Sequence, residues 1–217
     1  MRENYNEQLD AARSDLAEMC NLAEAAMESA TRALLTADLA LAEETISSRE
    51  LIDALAAEWE HKAFSVLALQ SPVALDLRIM VSGIHIVADL QRMGGLAIHI
   101  AELVRRRHPA HVLPAEVESV FAEMGRVAVG QAEATRDVLL TRDADRAAEL
   151  KTADEAMDEL HRSLFTLTAS PEWPHGVPAA VDITLLGRFY ERFSDHTVEV
   201  AKRVIFLVTG EFRPEVS

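Results

Sequence analysis

Apolar residues recur at helical spacing along almost the whole chain, and prolines punctuate them. Leu9, Leu16, Met19, Ala23 and Met27 form an apolar stripe from about residue 7 to 36. Asp38 and Leu39 open a second stripe through Leu41, Ile46, Leu51, Ile52, Leu55, Trp59, Phe64 and Leu67. A third runs from Val73 to about Arg107 and carries Leu77, Met80, Ile84, Val87, Leu90, Ile98, Ala101 and Val104. Pro72, the pair Pro109 and Pro114, and the group Pro171, Pro174 and Pro178 sit where such helices would turn. Helices of roughly 30 residues, against a mean near 12, with short connections predict antiparallel neighbours in a bundle.

The second half repeats the plan. Thr36 and Asp38 fall on Thr141 and Asp143 at an offset of 105, which also places Glu50 on Glu155, Asp53 on Asp158 and Leu55 on Leu160. Further on, Gln91–Gly94 falls on Glu191–Ser194 at an offset of 100. The change of offset lies in the turn between the second and third helix of each half, where length changes are best tolerated. Helices four to six are expected over 115–142, 143–169 and 179–209. The expected fold is all-α, with six long helices in two tandem three-helix bundles, residues 1–110 and 111–217.

Composition narrows the class. Among 217 residues the formal net charge is −15, hydrophobic residues make up 49 % and aromatics 5 %, with only 8 Gly. Ala, Leu and Glu favour helix over strand. The charge argues against a nucleic-acid partner, which requires clustered cations. A lone Cys20 forms no internal disulfide. The charged start lacks a secretory apolar stretch, and runs such as Val204–Val208 fall far short of the ~20 residues of a membrane span. A cytoplasmic protein, peripheral to the membrane only through partners, is expected.

Motifs for nucleotide loops, zinc peptidases and thiol redox sites are absent. Carboxylates at i, i+4 stand out instead. Asp154 and Asp158 on helix five, and Glu191 and Asp195 on helix six, each stack on one helical face. Like charges so placed repel, and a cation would neutralise them, as carboxylates on facing helices do in di-iron bundles. Oxygen donors suit magnesium, calcium, manganese or iron and disfavour a thiolate zinc site. The first repeat has Arg49, Asp53, Gln91 and Gly95 at the equivalent positions, with Asp89 two residues before Gln91. A metal cluster is therefore expected in the second repeat, although Asp89 and Asp53 together could hold an ion through water. The alternative is a solvated acidic face.

Other residues weigh less. Gly94 and Gly95 lie inside a helical stripe and read as a close helix approach. His85 and His99 read as satisfied core or half-exposed side chains. His196 points about 100° around the helix from Asp195, which suits only a supporting role. Cys20 reads as buried and inert, and Arg105–His108 as a cationic helix end.

Three stretches carry a resemblance to a known family: Leu69–Arg78, Ile86–Gly94 and Leu185–Arg203. With them the chain resembles the PhoU family, in its actinobacterial form, over nearly its whole length; the family's hallmark is a doubled acidic-Arg-hydrophobic-small-Asp element in the third helix of each repeat, present here at Glu191–Asp195. The resemblance implies paired three-helix bundles in a cytoplasmic, often dimeric negative regulator of the phosphate-starvation response. It implies two partners, the ATPase of the phosphate ABC transporter and a sensor histidine kinase, and no catalysis. It also implies metal binding at an Asp/Glu-X-X-X-Asp motif, which Glu191 and Asp195 meet and Gln91 and Gly95 do not. The ion would be iron, zinc, manganese or magnesium. The competing reading is a carboxylate-bridged dinuclear metal enzyme built on Asp154, Asp158, Glu191 and Asp195.

Overall fold

The computed structural model describes residues 2–211, all of whose regular structure is helical. The elements are α1 (Arg2–Thr36), α2 (Leu39–Ser47), α3 (Arg49–Gln70), α4 (Ala74–Arg107), α5 (Ala115–Thr141), α6 (Ala144–Thr168) and α7 (Gly176–Thr209). The expected second helix is thus jogged into α2 and α3. Ser48 between them keeps right-handed helical angles, but its N–H reaches Thr45 three residues back, 3.2 Å away. The Ser48 hydroxyl donates to the same carbonyl at 2.7 Å. This is a tightened turn in one rod, so the chain still reads as six rods. The last helix starts three residues earlier than expected, because Pro178 lies in the first turn, where its missing N–H costs no hydrogen bond.

The matched turns explain why the repeat is visible in the sequence. Ala37 (φ 51°) and Arg142 (φ 55°) both take the left-handed conformation that ends a helix. Asp38 and Asp143 then cap the next one. Asp38 accepts from Leu41 N–H at 3.0 Å, and Asp143 accepts from Asp145 and Arg146 N–H at 3.0 and 3.1 Å.

The two repeats lie antiparallel to each other. On α4 and α7, Asp89 meets His196, His99 meets Phe189 and Arg107 meets Asp182. As one number rises, the other falls. The pair α1 and α5 behaves likewise: Cys20 reaches Ala132, and Thr31 lies against Gly125. One unbroken apolar core therefore runs from Leu9 to Leu207 through both repeats, and the linker residues Val112 and Leu113 are buried in it. The repeats are tandem in sequence but share their interior. Among the described residues no helix is long and apolar enough to cross a membrane.

Candidate functional site

Helix register decides which carboxylates meet. Within the second repeat, Ser194 meets Asp154 and Gly187 lies against His161, so α6 and α7 run antiparallel. The same register sets Asp154 opposite Asp195 and Asp158 opposite Glu191. The two i, i+4 pairs thus face each other across one groove, as their spacing predicts.

Their surroundings differ. Ser194 Oγ lies 2.7 Å from Asp154 Oδ1 and 2.5 Å from the side-chain amide of Gln131. A hydroxyl has one proton, and the carboxylate is the stronger acceptor. Gln131 presents its Oε1 to the same hydroxyl, and its buried Nε2 is left without a partner among the described residues. This chain joins α5, α7 and α6. Glu191 is held through Oε1 by Arg188 one turn earlier, while its buried Oε2 has no partner. Arg192 lies 3.9 Å from Asp195.

Burial, and then repulsion from Asp158 and Asp195, raise the Asp154 carboxyl above the ordinary carboxylate range, against the lowering effect of Ser194. Burial, and then Asp195, raise Glu191 too, while Arg188 opposes them. Burial and Arg188 lower His161 beside them. The groove therefore disfavours its own negative charge. Among the described residues, no three His, Cys, Asp or Glu side chains are drawn together as a ligand set. The carboxylates face one another but rest on Ser194, Arg188 and Arg192.

Asp89 lies on the face of α4 that meets α7. Two residues along a helix turn about 200°, so Asp89 and Gln91 point apart. Asp89 crosses to His196, whose Nδ1 lies 2.9 Å from Asp89 Oδ1. Asp53 instead accepts from Gln91 Nε2 at 2.7 Å. Asp89 and Asp53 thus take different partners, one across the repeats and one within the first. His196 gains what the sequence did not reveal. It ties the repeats together, and its buried Nε2 has no protein partner. It lines a cavity of about 470 Å³ with Lys151, Asp154, Asp195 and Glu199. Only the antiparallel docking of α4 on α7 makes this contact, and no local pattern encodes it.

The lesser candidates resolve simply. A Cβ on Gly94 would lie 2.6 Å from Ile52 Cδ1, a true close approach, but one on Gly95 would meet nothing within 4 Å. Gly95 opens a cavity rather than admitting a helix. His99 is half-exposed, 3.0 Å from Glu102 and with its ring tilted against Phe189 at 5.5 Å, whereas His85 is exposed rather than part of the core. Cys20 is fully buried, donates to the Ala132 carbonyl at 3.3 Å, and is pushed up to about 12, which makes it inert. At the cationic end of α4, Arg107 donates to the buried Asp182 of α7 at 2.7 Å.

Large apolar side chains lie exposed around two turns. Phe64, Leu69 and Val73 flank the α3–α4 turn, and Phe165, Val177 and Val181 flank the α6–α7 turn. Leu69, Val73 and Val177 are 78 %, 74 % and 75 % exposed. Because α4 and α7 are antiparallel and each roughly 50 Å long, the two apolar tips lie at opposite ends of the molecule.

Comparison with known proteins is consistent with this architecture. The PhoU domain pattern matches twice, over residues 16–104 and 121–204. The phosphate-specific transport system accessory protein PhoU homolog 2 of Mycobacterium tuberculosis is 58% identical over 212 residues, covering 98% of this chain and 100% of that protein. Homolog 1 of the same organism is 50% identical over 210 residues, covering 97% and 95%. The crystal structure of PhoU from Pseudomonas aeruginosa has a TM-score of 0.84 at 26% identity, covering 95% of this chain and 100% of that one. A phosphate transport system regulatory protein PhoU from Streptococcus pneumoniae shares the fold, with a TM-score of 0.87 at 22% identity, covering 97% and 99%.

Proposed function

The chain belongs to the PhoU family of phosphate transport accessory proteins, and on that premise we propose that it is a cytoplasmic adaptor and negative regulator of phosphate uptake and the starvation response. One end would dock the ATPase of the phosphate ABC transporter, and the other a sensor histidine kinase held in its phosphatase state. The observation that carries this reading is the pair of exposed apolar tips at opposite ends of one continuous core. Two ends permit two partners at once, and the shared core lets occupancy of one tip bias the other within the ~1–3 kcal/mol typical of allosteric coupling. The chain's acidity would speed encounter with basic partner surfaces. The role is regulatory rather than catalytic. The homodimer belongs to the same proposal and is tested by light scattering of the purified chain.

The test is made in cells that carry the chain as their only copy of the family. In phosphate-rich medium, L69E with V73E, and separately V177E with V181E, should each release starvation-response genes and raise phosphate uptake. If both double variants and the full deletion keep the response repressed, the proposal fails.

A metal in the second repeat is the remaining part. The partnerless, buried Glu191 Oε2 and the mutually repelling carboxylates fit a hard cation held by Glu191, Asp195, Asp154 and Asp158. Iron, zinc, manganese and magnesium are the candidates. Protein purified without chelator should carry metal that Asp195→Ala loses. Equal content in the two would remove this assignment.

A further inference from the structure

The first repeat holds a cavity at the place corresponding to the carboxylate groove, and its charge is reversed. It encloses about 300 Å³ between α3 and α4, lined by Arg49, Asp53, Gln91, Arg92, Gly95 and His99 among others. Register again places each residue. Gln91 meets Asp53, and Gly94 lies against Ile52, so Arg49 stands opposite Gly95.

Each substitution changes the charge in one direction. Arg49 stands where the second repeat has Asp154, Gln91 where it has Glu191, and Gly95 where it has Asp195. Arg92 and Arg192 are equivalent, but Arg192 has Asp195 one turn on, 3.9 Å away. Arg92 has glycine there. The change that removes the carboxylate also frees the guanidinium, and neither Arg49 nor Arg92 makes an ion pair with the described residues. One acidic group, Asp53, lines this space. It is occupied by the Gln91 amide, which donates to it at 2.7 Å. Without a Cβ at Gly95, the floor of the cavity is open.

We infer that this cavity binds a small tetrahedral oxyanion dianion, of the phosphate or phosphomonoester class, between Arg49 and Arg92. Guanidinium groups match such oxygens in pairs and hold their charge at any physiological pH. The volume is ample for the ion and several waters. The rest of the chain sharpens the point. At a net charge of −15 the surface repels anions, so an anion that binds must find a local positive field.

The test is calorimetric titration of the full chain, in chelator, with inorganic phosphate, sulfate and O-phosphoserine as separate probes. Phosphate should bind with one site per chain. R49Q with R92Q should weaken it by at least about tenfold, that is ~1.4 kcal/mol, while melting at the wild-type temperature. G95D should weaken it similarly, because the restored carboxylate pairs Arg92 and repels the anion. Asp195→Ala, in the other groove, should leave binding unchanged. Sulfate should compete, and whichever of phosphate and O-phosphoserine binds tighter names the source of the oxyanion. The inference is overturned if wild type shows no heat up to about 10 mM phosphate, if the double arginine variant binds as well as wild type, or if Asp195→Ala abolishes the binding. Failure here leaves the two-ended adaptor untouched, since its variants lie at the tips.

Discussion

The two repeats share one backbone plan and solve its interior differently. In the first, Trp59 fills the space between α3 and α4, its indole donating to Ala12 at 2.9 Å, and Gly83 makes room for the ring. The equivalent residues in the second repeat are Leu164 and Ile183, both buried. Bulk has moved from one helix to the other, the kind of compensating exchange that packed cores accept when their neighbours repack. The small residue reappears one turn along as Gly187, which accommodates His161 and Leu164. Polar chemistry has diverged more freely. Gln131, Ser194 and Asp154 form a hydrogen-bonded chain across three helices, whereas Ala26, Gly94 and Arg49 stand at those places in the first repeat. Packing ties each core residue to the one it touches, while charge at a groove is set by each residue singly. That is why the core remains recognisable as a repeat and the grooves do not.

The sharpest way to break this comparison is G83I. A Cβ there would sit 2.1 Å from the Trp59 ring, so the substitution should destabilise by about 3 kcal/mol or more in chemical denaturation. W59L alone should cost a comparable amount, by leaving a cavity. The two together install the second repeat's own pair and should recover much of the loss. A double variant as unstable as the sum of the singles would show that the repeats do not exchange volume in this way.

A smaller effect is expected where the repeats join. Thr31 and Tyr190 share a buried hydrogen bond of 2.8 Å between α1 and α7. Tyr190→Phe should cost about 1 kcal/mol, because Thr31 still donates to the Met27 carbonyl at 2.8 Å.

Next comes pH. The carboxyls of Asp154 and Glu191 are raised in the folded protein, so they favour folding below the ordinary carboxylate range and that contribution is lost as pH rises through their folded values. In chelator, Glu191→Gln should therefore melt higher than wild type at neutral pH, and the gap should shrink on acidification toward about pH 4. The matched change Gln91→Glu in the first repeat should show no such stabilised acid form, because Arg49 and Arg92 face it. The smallest effect is at the helix-ending turn. Ala37→Gly should stabilise by less than about 1 kcal/mol, since glycine adopts φ 51° without the Cβ penalty.

Much of this was legible in the sequence. Helical period, proline positions and the Asp38 and Asp143 caps are local signals, and they place six rods within a few residues. The facing carboxylates followed from i, i+4 spacing once the helices were antiparallel. What was hidden depends on docking between repeats. The crossing of Asp89 to His196 involves residues 107 positions apart, and nothing near either one announces the other. The jog at Ser48 escaped for a different reason, because a single tightened turn leaves the apolar stripe in phase. Gly95 was misread because a glycine that admits a neighbour and one that opens a space look alike in sequence.

The interior shared by α1, α4, α5 and α7 also bears on ancestry. An internal duplication usually leaves halves that can be shuffled, lost or joined to other genes. Here each half covers the other's apolar face, so residues 1–110 expressed alone would present a broad greasy flank. The tandem copy has become an obligate marriage. Evolution is left free to rewrite the grooves and tips of each half, but not to part them.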